Sequence, residues 1–534
     1  MLKNLQDIKP RILLVDNDPD SCTSYKDLLQ QWGYNPILAT GLGTALKDDA
    51  RKKAEECRCS LALIDLRLID DDDEMDMSGA EFAKSLQSLL HPIILTGIED
   101  PTTLRKLLQD YKDITYLGKQ DRRDEFRQRL DAEASKVAAS KRQLEFVQTE
   151  LLDEFLKSDL VKSTQEHANQ IVDVLARLFP EAKVLRFEKV SGWGETEVSS
   201  AVRPNSIVIK VYEDSLEPCL VKLARAKKVD HEVRSYFEYI ERKLTGSFNA
   251  KLLQKAIVWD IGGAAYTFIS GNGTRTFSAY YKDQPIQSIK EVLTSFFKDM
   301  WKKYYNQATP EKKSLFNLYL EVWGQDWYEK CANELTSAVL DEELSAISKN
   351  MGLPNPIEWL NNKIQKNEMV FDTKIAVTHG DLHGDNLMVD DRKNVWVIDF
   401  ERCGKGHALQ DFIELEADVI NRLLGHPVNF PAYLKMCKTV FQTTEINLEE
   451  ADLVSEDVEI EKALKTISII RDLATQCTGM NDARQYLYGL LYNMTFRAQL
   501  LHKIDKSKSG YPLLLAGLIC YRLDHWDQTW SPTE

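Results

Sequence analysis

The sequence predicts an α/β doubly wound domain first, then a helical linker, then a region in which strands precede a long series of helices. Two observations support this prediction. Short apolar runs alternate with helical segments up to about residue 120, and the stretch that follows lacks Gly and Pro and is rich in Glu, Lys, Gln, Ala and Leu. A chain of 534 residues also exceeds what one hydrophobic core accommodates, so several domains are expected.

Five apolar runs of strand length predict the sheet of the first domain. Because short and nearly all-apolar strands are buried on both faces, we expect a parallel five-stranded sheet covered by helices on both sides. The ligand site of such a sheet lies beyond the carboxyl ends of its strands. The predicted strands are Arg11 to Val15, Asn35 to Ala39, Ser60 to Ile64, Pro92 to Leu95 and Ile114 to Leu117.

Chemically active side chains fall at the ends of four of these strands. Asp16 follows the first, Asp65 the third, Thr96 the fourth and Lys119 the fifth. Carboxylates that meet at one sheet edge bind a hard divalent cation, and Mg²⁺ prefers such oxygen ligands. An Asp beside this cation can accept a phosphoryl group, while a lysine and a hydroxyl stabilise the added negative charge.

This arrangement resembles the receiver domain of two-component response regulators, over residues 1–122. The resemblance implies that Asp65 is the phosphoacceptor and that Asp16 and Asp65 bind Mg²⁺. It also implies that Thr96 and Lys119 form the receiver switch, and that an upstream histidine kinase is a partner.

Two residues depart from the receiver pattern. Asn17 stands where these domains usually have a second carboxylate, so the site carries one negative charge fewer and should bind Mg²⁺ more weakly. Gln120 stands where a proline usually follows the lysine, so a cis peptide bond is not favoured there. A degenerate receiver used only for docking remains the alternative.

Residues 123–180 are predicted to form the helical linker. Leu130, Val137, Leu144 and Leu151 are spaced by seven, which is a partial heptad repeat. The repeat fits a homodimer formed through a coiled coil and fits equally well a helix packed on its own domain.

Strand signals return after the linker, at Ala182 to Val190, Ser206 to Tyr212 and Cys219 to Leu223. Gly192 and Gly194 lie in a turn between two of these strands, where backbone amides can approach nucleotide phosphates. Lys222 lies within a strand, and Glu232 lies on the helix that follows. A strand lysine that contacts the α- and β-phosphates and is held by a helix glutamate is an arrangement used in kinase-type phosphotransfer.

The most specific motif runs from Thr378 to Val389 and continues from Trp396 to Glu401. In it, Asp381 is placed to orient or deprotonate an acceptor hydroxyl, and Asn386 and Asp399 are placed to bind Mg²⁺ at the phosphates of ATP or GTP. These three residue types at this spacing match what phosphoryl transfer from a magnesium–nucleotide complex needs.

The motif resembles the aminoglycoside phosphotransferase and choline kinase branch of the protein-kinase-like fold, over residues 182–534. The resemblance implies an α+β bilobal fold, with an N-lobe at 181–275 and a helical C-lobe at 276–534. The continuation from Arg402 to Glu416 is similar to the kinase-like ternary complex-associated domains predicted in bacterial conflict systems, which are often fused to receivers. In that resemblance Asp411 is a structural acid that supports the catalytic loop.

The composition restricts the location and the partners. The formal charge of −15 disfavours nucleic acid as a partner, and no apolar run approaches the roughly 18 residues that a membrane span needs. The first residues lack the apolar stretch of a signal peptide. Nine scattered cysteines are typical of free thiols in a reducing compartment. A cytoplasmic protein is therefore expected.

Together these features predict a receiver-regulated phosphotransferase. It would move the γ-phosphoryl group of ATP or GTP to a hydroxyl of an unidentified small-molecule or protein acceptor, with phosphorylation of Asp65 as the switch. The alternative is a nucleotide-binding pseudokinase scaffold whose receiver and kinase-like modules recruit partners.

Overall fold

The computed structural model describes residues 9–70, 73, 75–98, 109–142, 144–150, 152, 165–189, 206–214, 217–244, 250–268, 273–335, 340, 342–424, 430–504 and 509–528. The chain divides into two compact units. The first comprises residues 1–189, 204–230 and 252–268, and the second comprises residues 190–203, 231–251 and 269–534.

The first unit begins with a five-stranded parallel sheet of order β2-β1-β3-β4-β5, which confirms the predicted doubly wound domain. All five predicted strands are present. The strands are β1 (Arg11–Val15), β2 (Asn35–Leu38), β3 (Leu61–Asp65), β4 (His91–Thr96) and β5 (Thr115–Gly118). The α-helices are α1 (Pro19–Gln31), α2 (Gly43–Glu56), α3 (Ser78–Leu86) and α4 (Arg123–Ser135).

Alternation along the strands places one hydrophobic core on each face of this sheet. On β1, Ile12 and Leu14 belong to a core shared with α1 and α4, whereas Leu13 and Val15 belong to a core shared with α2 and α3. Because successive side chains of a strand point to opposite faces, an apolar run such as β1 supplies both cores. This burial fixes the register that brings the strand ends together.

The segment predicted as a helical linker is helical at both ends but contains a strand. Helix α4 ends at Ser135, β6 spans Glu145–Val147, and α5 spans Gln165–Leu178. The strand forms because it pairs with β7 (Val184–Glu188) and because Phe146 stacks on Phe187, with ring centroids 6.0 Å apart.

The heptad positions therefore do not lie along one helix in the described residues. Leu130 and Val137 are buried in the core of the parallel sheet, while Leu144 packs against the core of the next sheet. Leu151 lies outside the described residues. The described positions follow the interpretation in which each packs on its own domain.

A second sheet of six strands has the order β10-β11-β9-β8-β7-β6, and only its β6–β7 pair is parallel. Helix α5 packs on this sheet, and Gly263 of β11 allows the close approach because a Cβ there would collide with Val174. The strands are β7 (Val184–Glu188), β8 (Ser206–Glu213), β9 (Cys219–Arg225), β10 (Leu252–Val258) and β11 (Ile261–Thr267). Helix α6 (Ala226–Ser235) belongs to the first unit up to Asp230 and to the second from His231.

The rest of the second unit is rich in helices and contains two three-stranded sheets, ordered β12-β15-β16 and β13-β14-β17. The strands are β12 (Arg275–Thr276), β13 (Thr309–Ser314), β14 (Val370–Thr378), β15 (Leu387–Val389), β16 (Val395–Val397) and β17 (Gly404–His407). The helices are α7 (Phe277–Asp283), α8 (Ile286–Thr294), α9 (Lys302–Asn306), α10 (Leu315–Trp323), α11 (Trp327–Leu335), α12 (Glu342–Asn350), α13 (Pro356–Gln365), α14 (Gln410–Asp418), α15 (Phe430–Gln442), α16 (Val458–Thr478), α17 (Ala483–Ile504) and α18 (Gly510–Asp524). Among the described helices, none is long and apolar enough to cross a membrane.

Candidate functional sites

In the parallel-sheet domain, two buried carboxylates share one lysine at the carboxyl edge of the sheet. Lys119 Nζ lies 2.6 Å from Asp65 Oδ1 and 3.1 Å from Asp16 Oδ2. Burial alone would lower the pKa of the Lys119 ammonium, but the charges of Asp65 and Asp16 outweigh burial and raise that pKa above its ordinary value. The structure thus brings together the three charged residues that the sequence predicted at this site.

The oxygen atoms around this pair suit a hard cation. Asp16 is held by the Asp18 amide at 2.9 Å and by the Ser21 hydroxyl at 2.9 Å. Asn17 Oδ1 is buried and has no hydrogen-bond partner in the described part of the chain. Since no three His, Cys, Asp or Glu side chains converge among the described residues, Mg²⁺ here would be held by Asp16 and Asp65 together with neutral oxygens.

The predicted switch residues lie on neighbouring strand ends. Thr96 is buried, its carbonyl accepts the Lys119 amide at 2.7 Å, and its hydroxyl accepts the Ile98 amide at 3.1 Å. The described residues contain no cis peptide bond, so the Lys119–Gln120 bond is trans. Thr96 and Lys119 are therefore connected through the backbone.

In the second unit, a loop follows strand β14 and carries the first half of the predicted phosphotransfer motif. Gly380 has a φ of 77°, and a Cβ at this position would collide with the Arg402 carbonyl, so the loop requires glycine here. His379 is buried, and its Nε2 donates to the Ile398 carbonyl at 3.0 Å. The contact joins the loop to the segment after β16.

Three carboxylates of helix α14 accept backbone N–H groups of this loop. Asp411 accepts from His379 at 2.9 Å and from Gly380 at 3.0 Å. Glu414 accepts from Leu382 at 2.7 Å, and Asp418 accepts from Gly384 at 2.8 Å. The contacts of Asp411 match the supporting role that the sequence resemblance implied, whereas the contributions of Glu414 and Asp418 were not predicted.

Burial dominates the electrostatics of this helix face. It raises the pKa of Asp411, and it raises the pKa of Glu414 together with the nearby charges of Asp411 and Asp381. The pKa of Asp418 is lowered instead, because the Arg422 guanidinium outweighs the effect of burial.

Asp381 and Asn386 are connected within the loop. Asn386 is buried, and its Nδ2 donates to the Asp381 carbonyl at 2.8 Å. The Asp381 side chain is 37% exposed, and its Oδ1 lies 3.4 Å from Arg402 Nη1. The Asp381 carboxylate therefore remains accessible to an acceptor, while its backbone is held by the residue predicted to bind Mg²⁺.

The β15–β16 hairpin places the two predicted magnesium ligands near each other. Leu387 pairs with Val397, and the Ile398 amide donates to the Asn386 carbonyl at 3.1 Å. Asp399 follows directly, with a φ of 68° in the left-handed region. A non-glycine residue pays a cost of about 1–3 kcal/mol for such a conformation, and these conformations cluster at functional sites.

The two predicted nucleotide-contact residues that the structure describes are both buried. Lys222 is buried on β9 of the first unit, and Glu232 is buried on α6 within the second unit. Their pairing remains a prediction. Gly192 and Gly194 lie outside the described residues.

Arg422 is a further residue that the sequence reasoning missed. Its guanidinium is buried and lies 2.6 Å from Asp418 Oδ2, 2.9 Å from Asp385 Oδ2 and 2.7 Å from the Ser278 hydroxyl. The available signal was the pattern of acids along α14, where Asp411, Glu414 and Asp418 have helical spacing directly after the motif.

Residues 319–495 match the family model described as ternary complex associated domain 9, which confirms the resemblance stated from the sequence. The comparison with curated proteins gives no significant match.

Several solved structures resemble parts of this chain. One is the Vibrio cholerae chemotaxis protein CheY4, with 21% identity over 23% of this chain and 98% of that one, and a TM-score of 0.19. A second is the ethanolamine kinase of Plasmodium vivax, with 14% identity over 69% of this chain and 93% of that one, and a TM-score of 0.33. A third is aminoglycoside phosphotransferase APH(3'')-Id from Streptomyces rimosus in complex with ADP and streptomycin, with 12% identity over 49% of this chain and 90% of that one, and a TM-score of 0.27.

The chain thus combines a doubly wound parallel-sheet domain with a second region in which residues 319–495 match the model of ternary complex associated domain 9.

Proposed function

We propose that this protein is a receiver-regulated phosphotransferase that moves the γ-phosphoryl group of ATP or GTP to an acceptor hydroxyl. The observation that carries the proposal is the connection among Asp381, Asn386 and Asp399. The Asn386 side chain holds the Asp381 carbonyl, and the Asn386 carbonyl accepts the amide of the residue before Asp399. One loop and one hairpin thus bring together the three residues that we propose as a general base and as two oxygen ligands for Mg²⁺.

Each residue has a defined role in the proposed reaction. The acceptor oxygen forms a bond to the γ-phosphorus, the bond from that phosphorus to the β,γ-bridging oxygen breaks, and ADP or GDP leaves. Asp381 orients the acceptor hydroxyl and takes its proton. Asn386 and Asp399 would hold Mg²⁺, which neutralises charge on the phosphates when bound. Lys222 would contact the α- and β-phosphates.

Loss of one group at a time tests this assignment. Asp399→Asn should abolish Mg²⁺-dependent binding of ATP and GTP. Asp381→Ala should keep nucleotide binding but lose turnover by about 10²–10⁴-fold, the range expected for a positioned general base. Isothermal titration and an assay of ADP and GDP release measure the two effects. Asp391→Asn, in the exposed β15–β16 turn, is the matched control and should behave as wild type. Unchanged turnover in Asp381→Ala would contradict the proposal.

We further propose that phosphorylation of Asp65 is the switch, acting through a junction inside the first unit. Arg58, just after α2, pairs with Asp260 through two bonds of 3.0 Å and 3.3 Å. Trp259 Nε1 donates to the Cys59 carbonyl at 2.9 Å, and the Trp259 side chain packs against the cores of both sheets. Trp259 and Asp260 form the turn between β10 and β11.

This junction is connected to the strand that carries the predicted nucleotide lysine. Strand β11 starts at Ile261, directly after the turn, and its Ala264 pairs with Lys222 of β9. A change at the receiver face of the turn can therefore reach Lys222 through two paired strands.

Removal of the Arg58 charge tests the junction, because this substitution leaves the receiver carboxylates and the phosphotransfer loop unchanged. Arg58→Met should remove the effect of a beryllofluoride phosphoryl mimic on turnover, while basal turnover stays within about twofold because the loop residues are unchanged. Lys52→Met, a nearby exposed lysine of α2, should leave the response intact. A full response in Arg58→Met would exclude this route.

The scaffold function remains a second candidate because of one contact. Arg402 Nη1 lies 3.4 Å from Asp381 Oδ1, where the guanidinium competes with an acceptor hydroxyl for this carboxylate oxygen. Nucleotide binding without turnover, with or without phosphorylation of Asp65, would favour the scaffold.

A further inference from the structure

We infer that Glu414 and Asp418 are positioning residues for the phosphotransfer loop, Glu414 for the general base and Asp418 for the magnesium ligand. The inference rests on the proposed function of the loop. It goes beyond the supporting role of Asp411, because it assigns different effects to the two further acids.

Glu414 clamps one peptide unit from the side opposite Asn386. The peptide between Asp381 and Leu382 donates its N–H to Glu414 Oε2 at 2.7 Å. The carbonyl of the same peptide accepts from Asn386 Nδ2 at 2.8 Å and from the His383 amide at 3.1 Å. Both polar ends of this peptide plane are therefore fixed, and the position of the Asp381 side chain depends on them.

Glu414 is itself held in one orientation. Its Oε1 accepts from Trp323 Nε1 at 3.2 Å and from Gln410 Nε2 at 2.9 Å, and the residue is buried. All three groups that meet this carboxylate in the described structure are donors. An amide in place of the carboxylate would put an NH₂ group against one of these donors, so Glu414→Gln should weaken the clamp with little change in volume.

Asp418 acts at the far end of the loop. It accepts the Gly384 amide at 2.8 Å and two bonds from Arg422 at 2.6 Å and 2.7 Å. Arg422 in turn lies 2.9 Å from Asp385, the residue directly before Asn386. The hydrogen bonds that run from Asp418 through Arg422 to Asp385 therefore fix the backbone position at which Asn386 follows.

The fourth buried acid of this helix makes no contact with the loop in the described structure. Glu416 accepts from Arg471 at 2.7 Å and 2.9 Å and from the Tyr486 hydroxyl at 2.7 Å. Its spacing from Glu414 and Asp418 places it on another face of α14. Glu416 is therefore a control for the general cost of altering a buried acid in this helix.

Steady-state kinetics of the full chain separate these roles. Glu414→Gln should lower kcat roughly ten- to hundredfold while the Kd for Mg-ATP changes less than about twofold, because the weakened hydrogen bond to the Leu382 amide affects the position of Asp381 alone. Asp418→Asn should instead weaken Mg-ATP binding roughly tenfold or more. Arg422→Lys should reproduce the Asp418→Asn effect with the carboxylate still present.

Glu416→Gln should lower the thermal unfolding midpoint without changing kcat or Kd of the folded protein, and Glu414→Asp should recover part of the lost kcat. The inference is overturned if Glu414→Gln and Asp418→Asn show the same kcat and Kd as Glu416→Gln after correction for the folded fraction. If the wild type binds Mg-ATP without turnover, the proposed function fails. A selective binding loss in Asp418→Asn and Arg422→Lys would then still support the role of Asp418.

Discussion

The two acidic clusters of this protein use carboxylates in opposite ways. At the receiver edge, Asp16 and Asp65 are satisfied by Lys119, a side chain that is 30% exposed. Beneath the phosphotransfer loop, Asp411 and Glu414 are satisfied mainly by buried backbone and side-chain N–H groups. A lysine side chain, which can change its conformation, contacts the carboxylates of the first cluster. Backbone amides, which are fixed by the fold, are the main contacts of the second cluster.

This difference separates a switch from a support. A lysine can exchange one oxygen partner for another when a phosphoryl group or a cation arrives, without loss of secondary structure. Backbone amides cannot leave their acceptors without unfolding the loop, and an unsatisfied buried amide is costly. We therefore expect chemistry at the receiver carboxylates themselves, whereas the carboxylates of α14 stabilise the loop on which Asp381 acts.

The largest expected effect is a loss of stability when an acid beneath the phosphotransfer loop is removed. Asp411→Ala leaves two buried N–H groups without an acceptor, which should cost about 2–6 kcal/mol of unfolding free energy. Asp65→Ala removes one of two adjacent negative charges and should change stability by less than about 1 kcal/mol. Urea unfolding followed by tryptophan fluorescence measures both. Equal losses in the two variants would show that the clusters do not differ in this way.

A smaller effect is expected on the Mg²⁺ affinity of the receiver edge. Asn17→Asp adds a carboxylate to the edge that holds Asp16 and Asp65, so its affinity for Mg²⁺ should rise roughly tenfold. The titration is best done in an Asp399→Asn background, which removes the second predicted magnesium site. Asp20→Asn, an exposed acid in the first turn of α1, is the matched control. An unchanged affinity would mean that position 17 does not face the cation.

The smallest effect concerns two histidines, one in each region. Burial lowers the pKa of His407 to about 3. Burial also lowers the pKa of His91, although the contact with Glu133 opposes this effect. Both folded-state pKa values lie below the unfolded value, so stability is lost as pH falls below about 6.5.

For His407 this loss should reach about 1.4 kcal/mol at pH 5.5, since the unfolded chain binds the proton there and the folded chain does not. Urea midpoints at pH 7.5 and 5.5 measure it, and His407→Gln should reduce the difference between them. A wild type with no pH dependence in this window would contradict the assignment of a neutral buried imidazole.

The sequence was most informative where local pattern and burial agree. Each strand of the parallel sheet was predictable from its apolar run. The spacing of Asp381, Asn386 and Asp399 predicted that they share one site, and the loop and hairpin bring their backbones together. Strand β6 was not, because Glu145–Val147 lies in a segment of helical composition and becomes a strand only through pairing with β7.

Burial of polar groups was the second limit of prediction. Glu414 and Asp418 have the appearance of surface acids on a helix, and their roles depend on contacts with a loop about 32 to 34 positions earlier. The junction at Arg58 and Asp260 joins positions 202 apart, and no local pattern indicates such a pair.

Mg²⁺-dependent turnover of ATP and GTP, measured with and without beryllofluoride on the receiver, tests most directly whether this protein is a receiver-regulated phosphotransferase. We expect wild type to turn over nucleotide at a rate that beryllofluoride changes, Asp65→Asn to turn over nucleotide without this response, and Asp381→Ala to bind nucleotide without turning it over. Nucleotide binding by wild type with no turnover in either receiver state would contradict a phosphotransferase and favour the scaffold.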